Sequence, residues 1–308
     1  MDFTLNPDQA ALDGAVERLA AAFSSKPTEF HGFALLSDAL EQALLEAEFF
    51  DIALIPEFGP LSAAIAVERL ARLPFTAEFA LSMLLRPQLH GDWPRPLAIV
   101  ERGRPSRFLA SAKTVLIIDE HSVGIAQLDP VHVESVDSLF AYPMARLKGA
   151  VTTVALSDTE AANVLKWSRI ALAAETSGLL HAAIASTVEH LSLRKQFGRP
   201  LGAFQALRHR LAECAVLAGG VRWLAFQAAS TADDSDAALA AFHAQDSATR
   251  IVYDLHQMFG AMGMTLEHPL HLWTYRLKSL LSLLGGRGGQ ARAAASTTAS
   301  SPAPATAP

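Results

Sequence analysis

A mainly helical α+β fold is predicted for this 308-residue chain from three observations. Apolar residues recur at helical spacing over residues 1 to about 90 and again over 157–284. Short β-branched runs lie between these stretches. Hydrophobic residues make up 51% and charged residues 18%, ample for a buried core. At about 150 residues per domain the length favours more than one unit. Composition divides the chain into an N-terminal helical domain over 1–94, a small β domain over 95–150, a C-terminal four-helix bundle over 151–284 and a flexible tail over 285–308.

The elements follow in order. Asn6-Pro7-Asp8-Gln9 starts the first helix: Asn6 caps, Pro7 suits the first helical position, and Gln9 completes a capping box. Leu12, Val16, Leu19 and Phe23 then form one apolar face. A second helix spans 37–50, 55–60 is a Pro- and Gly-bounded loop, and 63–73 resumes the helical period. Residues 97–100, 114–118, 122–128 and 131–136 are strand-like and predict one small sheet of four to six strands. Ser157-Asp158-Thr159-Glu160 is a capping box that opens the bundle. Its second helix carries Phe204, Leu207, Leu211, Cys214, Ala218 and Val221. Its last carries Leu270, Trp273, Leu277 and Leu281. From Gly285 no apolar period remains, which predicts a flexible extension.

Several classes of function fall away. Twenty-five basic against 31 acidic residues leave a net charge of −6 and no basic cluster, so neither nucleic acid nor an anionic membrane is expected as a partner. A single cysteine, Cys214, cannot close an internal disulfide, and the N-terminus lacks a signal-peptide pattern. No apolar run reaches the ~18 residues that would span a bilayer. A cytoplasmic protein is therefore expected. The chain carries no dinucleotide fingerprint, P-loop or nucleophile-elbow motif.

Two segments carry the chemistry. Arg194 to Leu207 breaks one long helix and opens the next; it gathers Arg194, Gln196, Phe197, Gly198, Arg199 and Gly202. Arginine can hold a phosphate bidentately, and the glycines permit a tight turn or close ligand approach. An ordinary helix–helix turn with a solvated arginine fits the residue types equally well. The second segment, Gln257 to Pro269, reads by itself as a helix C-cap and linker.

Taken together, R-x-Q-F-G-x-x-L-x-x-F-Q-x-L at 194–207, Q-x-x-G-x-x-G at 257–263 and E-H-P-L at 267–270 resemble the acyl-CoA dehydrogenase family. The resemblance extends to Met1–Leu5, Ile55–Gly59 and Glu68-Arg69-Leu70; it covers the helical parts well and the sheet region poorly. It implies an N-terminal helical domain, a β domain and a C-terminal four-helix bundle. It also implies FAD at a subunit interface, contacted through Arg194, Gln196, Phe197, Gln257, Gly260 and Gly263, with Ala261 where the family often has another glycine. The family removes an α-proton with a glutamate while the β-hydride goes to the flavin. The two family positions for that base correspond here to Leu284, before Gly285, and Ser168, before Arg169. Neither is a base. The T-E-P and G-S-D segments of the family's middle domain are also missing.

The resemblance is therefore to the glutamate-lacking subunit of short bacterial members that act on steroid side chains as mixed complexes. Such a chain would be inactive alone, would join a homologous subunit in an α2β2 heterotetramer, and would contribute FAD contacts for an acyl-CoA substrate. Two alternatives stay open: a self-sufficient homo-oligomer with a displaced base such as Glu175, and a flavin-free stabilising subunit. Glu175 lies on the stripe with Leu172 and Leu179 and is expected to be hydrogen-bonded inside the bundle. His268 and His271 lack companions for a metal site, and Cys214 belongs to the core.

Overall fold

The computed structural model describes residues 4–26, 35–101, 103–119 and 122–300. Met1–Phe3 of the family resemblance and residues 301–308 of the tail lie outside the described residues. Among the described residues four α-helices precede the sheets: α1 (Pro7–Ala22), α2 (Asp38–Glu46), α3 (Gly59–Ala71) and α4 (Ala80–Leu84). Asn6 and Gln9 form the reciprocal capping box on α1, and Ser37 caps α2. Leu40, Leu44, Val67, Leu70, Phe79 and Leu84 bury one face of this domain in a core that is continuous with the bundle.

Seven strands follow: β1 (Leu97–Glu101), β2 (Ser106–Arg107), β3 (Thr114–Ile118), β4 (Val123–Gln127), β5 (Val133–Val136), β6 (Met144–Leu147) and β7 (Val154–Ala155). They do not form the single sheet that the sequence predicts. One four-stranded sheet has the order β1-β3-β4-β7, with β1 and β3 parallel and the remaining pairs antiparallel. A second, antiparallel sheet has the order β2-β6-β5. Between them Ala98, Val100, Leu109, Val115 and Ala145 form a core of their own. Alternation along a strand reports two-faced burial, not which strands share a sheet, so the split was not visible in the sequence.

The central element is α5 (Asp158–Leu193), 36 residues long and therefore about 54 Å. Ser157 and Glu160 form its capping box. Residues 170–180 of α5 are buried all round because α3, α4 and the rest of the bundle surround them. At Gly178 a Cβ would sit 2.1 Å from the Glu68 carbonyl oxygen, so the crossing of α3 over α5 requires glycine. After a two-stranded hairpin, β8 (Lys195–Gln196) and β9 (Arg199–Pro200), come α6 (Gln205–Thr231) and α7 (Asp234–Phe259). These pack on α5 and on each other.

The last predicted bundle helix is shorter than expected. Helix α8 (His271–Leu280) lies against α5 and bonds to the N-terminal domain: Trp273 Nε1–H donates to the Arg72 carbonyl at 2.9 Å. The buried Arg276 donates to the carbonyls of Leu272 (2.6 Å), Leu73 (2.6 Å) and Phe75 (3.3 Å).

The tail, expected to be flexible, is helical over Gly286–Ser300. Helix α9 (Gly286–Ser300) packs along α7, and Gln290 is fully buried. Its inward positions are Gly286, Gly289, Gln290, Ala293 and Ala294, which is helical spacing written in residues too small to register as an apolar period. Gln290 accepts from Arg169 Nε at 2.8 Å and donates to the Leu284 carbonyl at 2.7 Å. Arg287 pairs with Asp246 of α7 at 2.8 Å. Replacing Gln290 by leucine orphans a buried carbonyl and a guanidinium donor, so Gln290→Leu is expected to cost about 1–3 kcal/mol in urea unfolding. An unchanged midpoint would show that α9 is not held by these bonds.

Candidate functional site

Arg194 is the C-cap of α5 and turns the chain into the β8–β9 hairpin. Phe197 (φ 52°) and Gly198 (φ 78°) both have left-handed backbone, the signature of a type I′ two-residue turn. A phenylalanine at that φ is strained, and its ring is 88% exposed. It meets Phe204 edge-on at 6.1 Å, and the Arg199 guanidinium lies 4.2 Å from the Phe204 ring centroid. The exposed side chains of Arg194 and Gln196 make no hydrogen bond or ion pair among the described residues. The result is a rigid, protruding turn that offers a cation, an amide and an aromatic face to whatever lies against it.

The second segment sits at the same end of the bundle. His190, one turn before Arg194, stacks on Phe259 at 4.1 Å, and His268 packs on both rings at 4.4 and 5.5 Å. This His190–Phe259–His268 cluster joins the ends of α5 and α7 to the Glu267-His268-Pro269-Leu270 stretch. Sequence reasoning missed it; the only signal was an aromatic or imidazole ring in each of three segments. Burial pushes the pKa of His268 down to about 4, with nearby His190 adding to the effect, and His190 is lowered by burial too.

Gln257 and Gly260 are exposed, and Gly260 (φ 60°) faces open space. At Gly263 a Cβ would fall 2.7 Å from the His256 carbonyl oxygen, so that glycine serves the tight 3₁₀ turn over 260–264. His256 Nδ1 also bonds the Gly263 carbonyl oxygen, at 2.6 Å. Among the described residues no group of three or more His, Cys, Asp or Glu converges as a metal site. No described helix is long and apolar enough to cross a membrane.

Ser168 and Leu284, distant in sequence, line one cavity together with Leu172, Glu175, Arg107 and Phe108. Its volume is about 30 Å³, room for one or two waters. The buried Ser168 hydroxyl donates to the Val164 carbonyl at 2.6 Å. Leu284 sits in left-handed backbone (φ 55°, ψ 38°); its N–H donates to Glu101 Oε1 at 2.5 Å.

Glu175 is buried, but its partners come from the β region and not from within the bundle as expected. Arg107 Nη1 and Tyr142 Oη each donate to Glu175 Oε1 at 2.6 Å. Burial works against the charge of Arg107, yet Glu175 and Tyr142 raise its pKa above the usual arginine range. Burial, reinforced by Glu175, raises that of Tyr142 well beyond a free phenol. Beyond Leu284 a wider groove of about 980 Å³ runs past Arg104, Arg169 and Arg292.

Residues 159–294 match the family described as "Acyl-CoA dehydrogenase, C-terminal domain". Over that stretch the chain is similar to the C-terminal domain of acyl-CoA dehydrogenases. It is 33% identical over 156 residues to acyl-CoA dehydrogenase FadE34 of Mycobacterium tuberculosis; the match covers 48% of this chain but only 22% of that protein's length. The ChsE4–ChsE5 complex from Mycobacterium tuberculosis superposes with a TM-score of 0.74 at 21% identity, over 98% of this chain and 100% of the other. A Tcur3481–Tcur3483 steroid ACAD variant gives 0.75 at 20% identity, over 96% and 99%. The acyl-CoA dehydrogenase fold, including its small β region, therefore extends over nearly the whole chain.

The lowered pKa of His268 gives a pH prediction. Between its ordinary value near 6.5 and about 4, the unfolded chain takes up a proton that the folded chain refuses. Its stabilising effect is thus fully present above about pH 6.5 and is lost as the pH falls toward 4. The urea midpoint is expected to drop across this window, and His268→Gln should flatten the drop. An identical slope in the variant would contradict the assignment.

Proposed function

We propose that this chain is a subunit of a heteromeric, FAD-dependent acyl-CoA dehydrogenase. The complex forms the α,β double bond of an acyl-CoA thioester, a steroid side-chain thioester being the candidate substrate, and a homologous partner supplies the catalytic glutamate. The observation that carries this reading is the shared cavity. Its two family base positions hold Leu284 and a serine whose hydroxyl is committed to a backbone carbonyl. Neither can accept an α-proton.

The exposed residues at this end of the bundle fit a flavin nucleotide held from outside the chain. The exposed, unpaired Arg194 can fork onto a diphosphate, Gln196 can donate from its amide, and Phe197 offers a ring face. Gln257 and Gly260, at the same end of the bundle, are open to the same group. Gly263 fits less well, because its missing side chain is already required by the His256 carbonyl. FAD, when bound, supplies the acceptor for the hydride leaving the β-carbon. The His190–Phe259–His268 cluster keeps both gripping segments at one end of the bundle. A chain that grips a flavin but lacks a base needs an unlike partner to build one site, and we take the assembly to be two such pairs, α2β2. The two structures cited above are, by name, a two-chain complex and a steroid ACAD, which supports both the mixed assembly and the substrate class.

One observation favours a second reading, a self-sufficient enzyme with Glu175 as a displaced base. Glu175 Oε2 is buried without a hydrogen-bond partner among the described residues, and Glu175 lines the cavity. A volume of about 30 Å³ admits no acyl chain, which weighs against it.

The experiment is a titration of FAD into the apo complex. Losing a charge-assisted diphosphate contact should cost Arg194→Ala about tenfold to more than a hundredfold in affinity. Stability should move by about 0.5 kcal/mol or less. Unchanged affinity would reduce the 194–199 segment to an ordinary turn and remove the site assignment.

A further inference from the structure

We propose that Arg107, Glu175 and Tyr142 form a clamp that closes this chain's own acyl-side cavity, so that the complex takes its thioester only in the partner's cavity. This rests on the half-site reading above and says where the substrate is excluded. Glu175 lies two turns along α5 from Ser168, on the stripe that faces the cavity. The guanidinium of Arg107, on β2, reaches across and bonds Glu175 Oε1 at 2.6 Å; the side chains are 10% and 3% exposed. The Tyr142 hydroxyl bonds the same oxygen, and the Arg107 guanidinium lies 5.0 Å from the centroid of its ring.

The backbone on either side of the clamp is strained. Phe108, next to Arg107, and Ala141, next to Tyr142, both have left-handed φ (61° and 56°). Non-glycine residues hold that conformation where the surroundings over-determine it. The Phe108 N–H donates to the Pro143 carbonyl at 2.8 Å, which links the two strained turns to each other.

What this leaves is a chamber of about 30 Å³ with charged side chains in its wall. An acyl chain needs an apolar pocket hundreds of Å³ in volume. To enter here it would have to break a buried ion pair and strand its charges. Leu284 narrows the other end. The cavity that the family fold provides is thus occupied by the protein itself, and α5 gains a cross-link to the second sheet.

The test is a double-mutant cycle on the assembled complex: Arg107→Met, Glu175→Gln and the pair. Each single change strands one buried charge, so the unfolding midpoint should fall by about 5–10 °C, and the double variant should lose less than the sum. Amide exchange of residues 107–109 and 141–147 should quicken in the singles, while kcat of the complex stays at the wild-type value. Should the singles fail to assemble, Tyr142→Phe removes one donor and keeps the ion pair; it should quicken exchange in the same segments.

Additive losses, or wild-type exchange in Tyr142→Phe, would overturn the clamp. A wild-type midpoint for Glu175→Gln with kcat down about a hundredfold would instead make Glu175 the base. The half-site reading fails separately, by the flavin content of this chain purified alone.

Discussion

At the middle of α5 a single carboxylate oxygen takes donors from two segments of the β region, and much of the architecture leans on that contact. Glu175 binds Arg107 from one strand and Tyr142 from the turn before another, which fixes the second sheet against the bundle. It also balances charge. The charge of Arg276, buried in α8 and hydrogen-bonded to carbonyls, is disfavoured by burial and favoured by the nearby Tyr142 and Glu175. A carboxylate here therefore steadies two guanidiniums held largely away from water. Replacing such an ion pair with apolar residues can be tolerated; removing one member strands the rest.

The far end of α5 obeys a different constraint. There the helix stops at Arg194, and its last turn is pinned by the His190 ring against Phe259 and His268. The consequence is that the exposed turn is carried on a packed scaffold. Among the described residues the side chains of Arg194 and Gln196 have no hydrogen-bond partner, and the strained Phe197 is held by a two-residue hairpin. The same helix thus lines a small cavity at its centre and carries an exposed turn at its end. The proposed half-site subunit, which would contribute to a neighbour's site while sealing its own, needs both.

Much of this was legible in the sequence because the signals were local. The capping boxes at Asn6 and Ser157 marked helix starts, and the Arg194-Lys195-Gln196-Phe197-Gly198 turn carried both the helix end and the family resemblance. The vacated positions Ser168 and Leu284 were readable as residues; that they share one cavity was a matter of tertiary packing. The partners of Glu175 were hidden because Arg107 and Tyr142 lie 68 and 33 residues away, in the part least like the family. Helix α9 was missed because glycine, alanine and one buried glutamine carry its inward face, and their contribution is close approach to α7, not apolar bulk. The division of the strands into two sheets depends on long-range register, which alternation does not encode.

The central claim is that this chain grips a flavin without owning a complete site. Its most direct test is a count of flavin by native mass spectrometry and visible absorbance, on this chain purified alone and on the complex with its homologous partner. The account predicts a colourless chain alone and one FAD for each unlike pair in the complex. A yellow chain by itself, or one FAD on every chain of the complex, would contradict it.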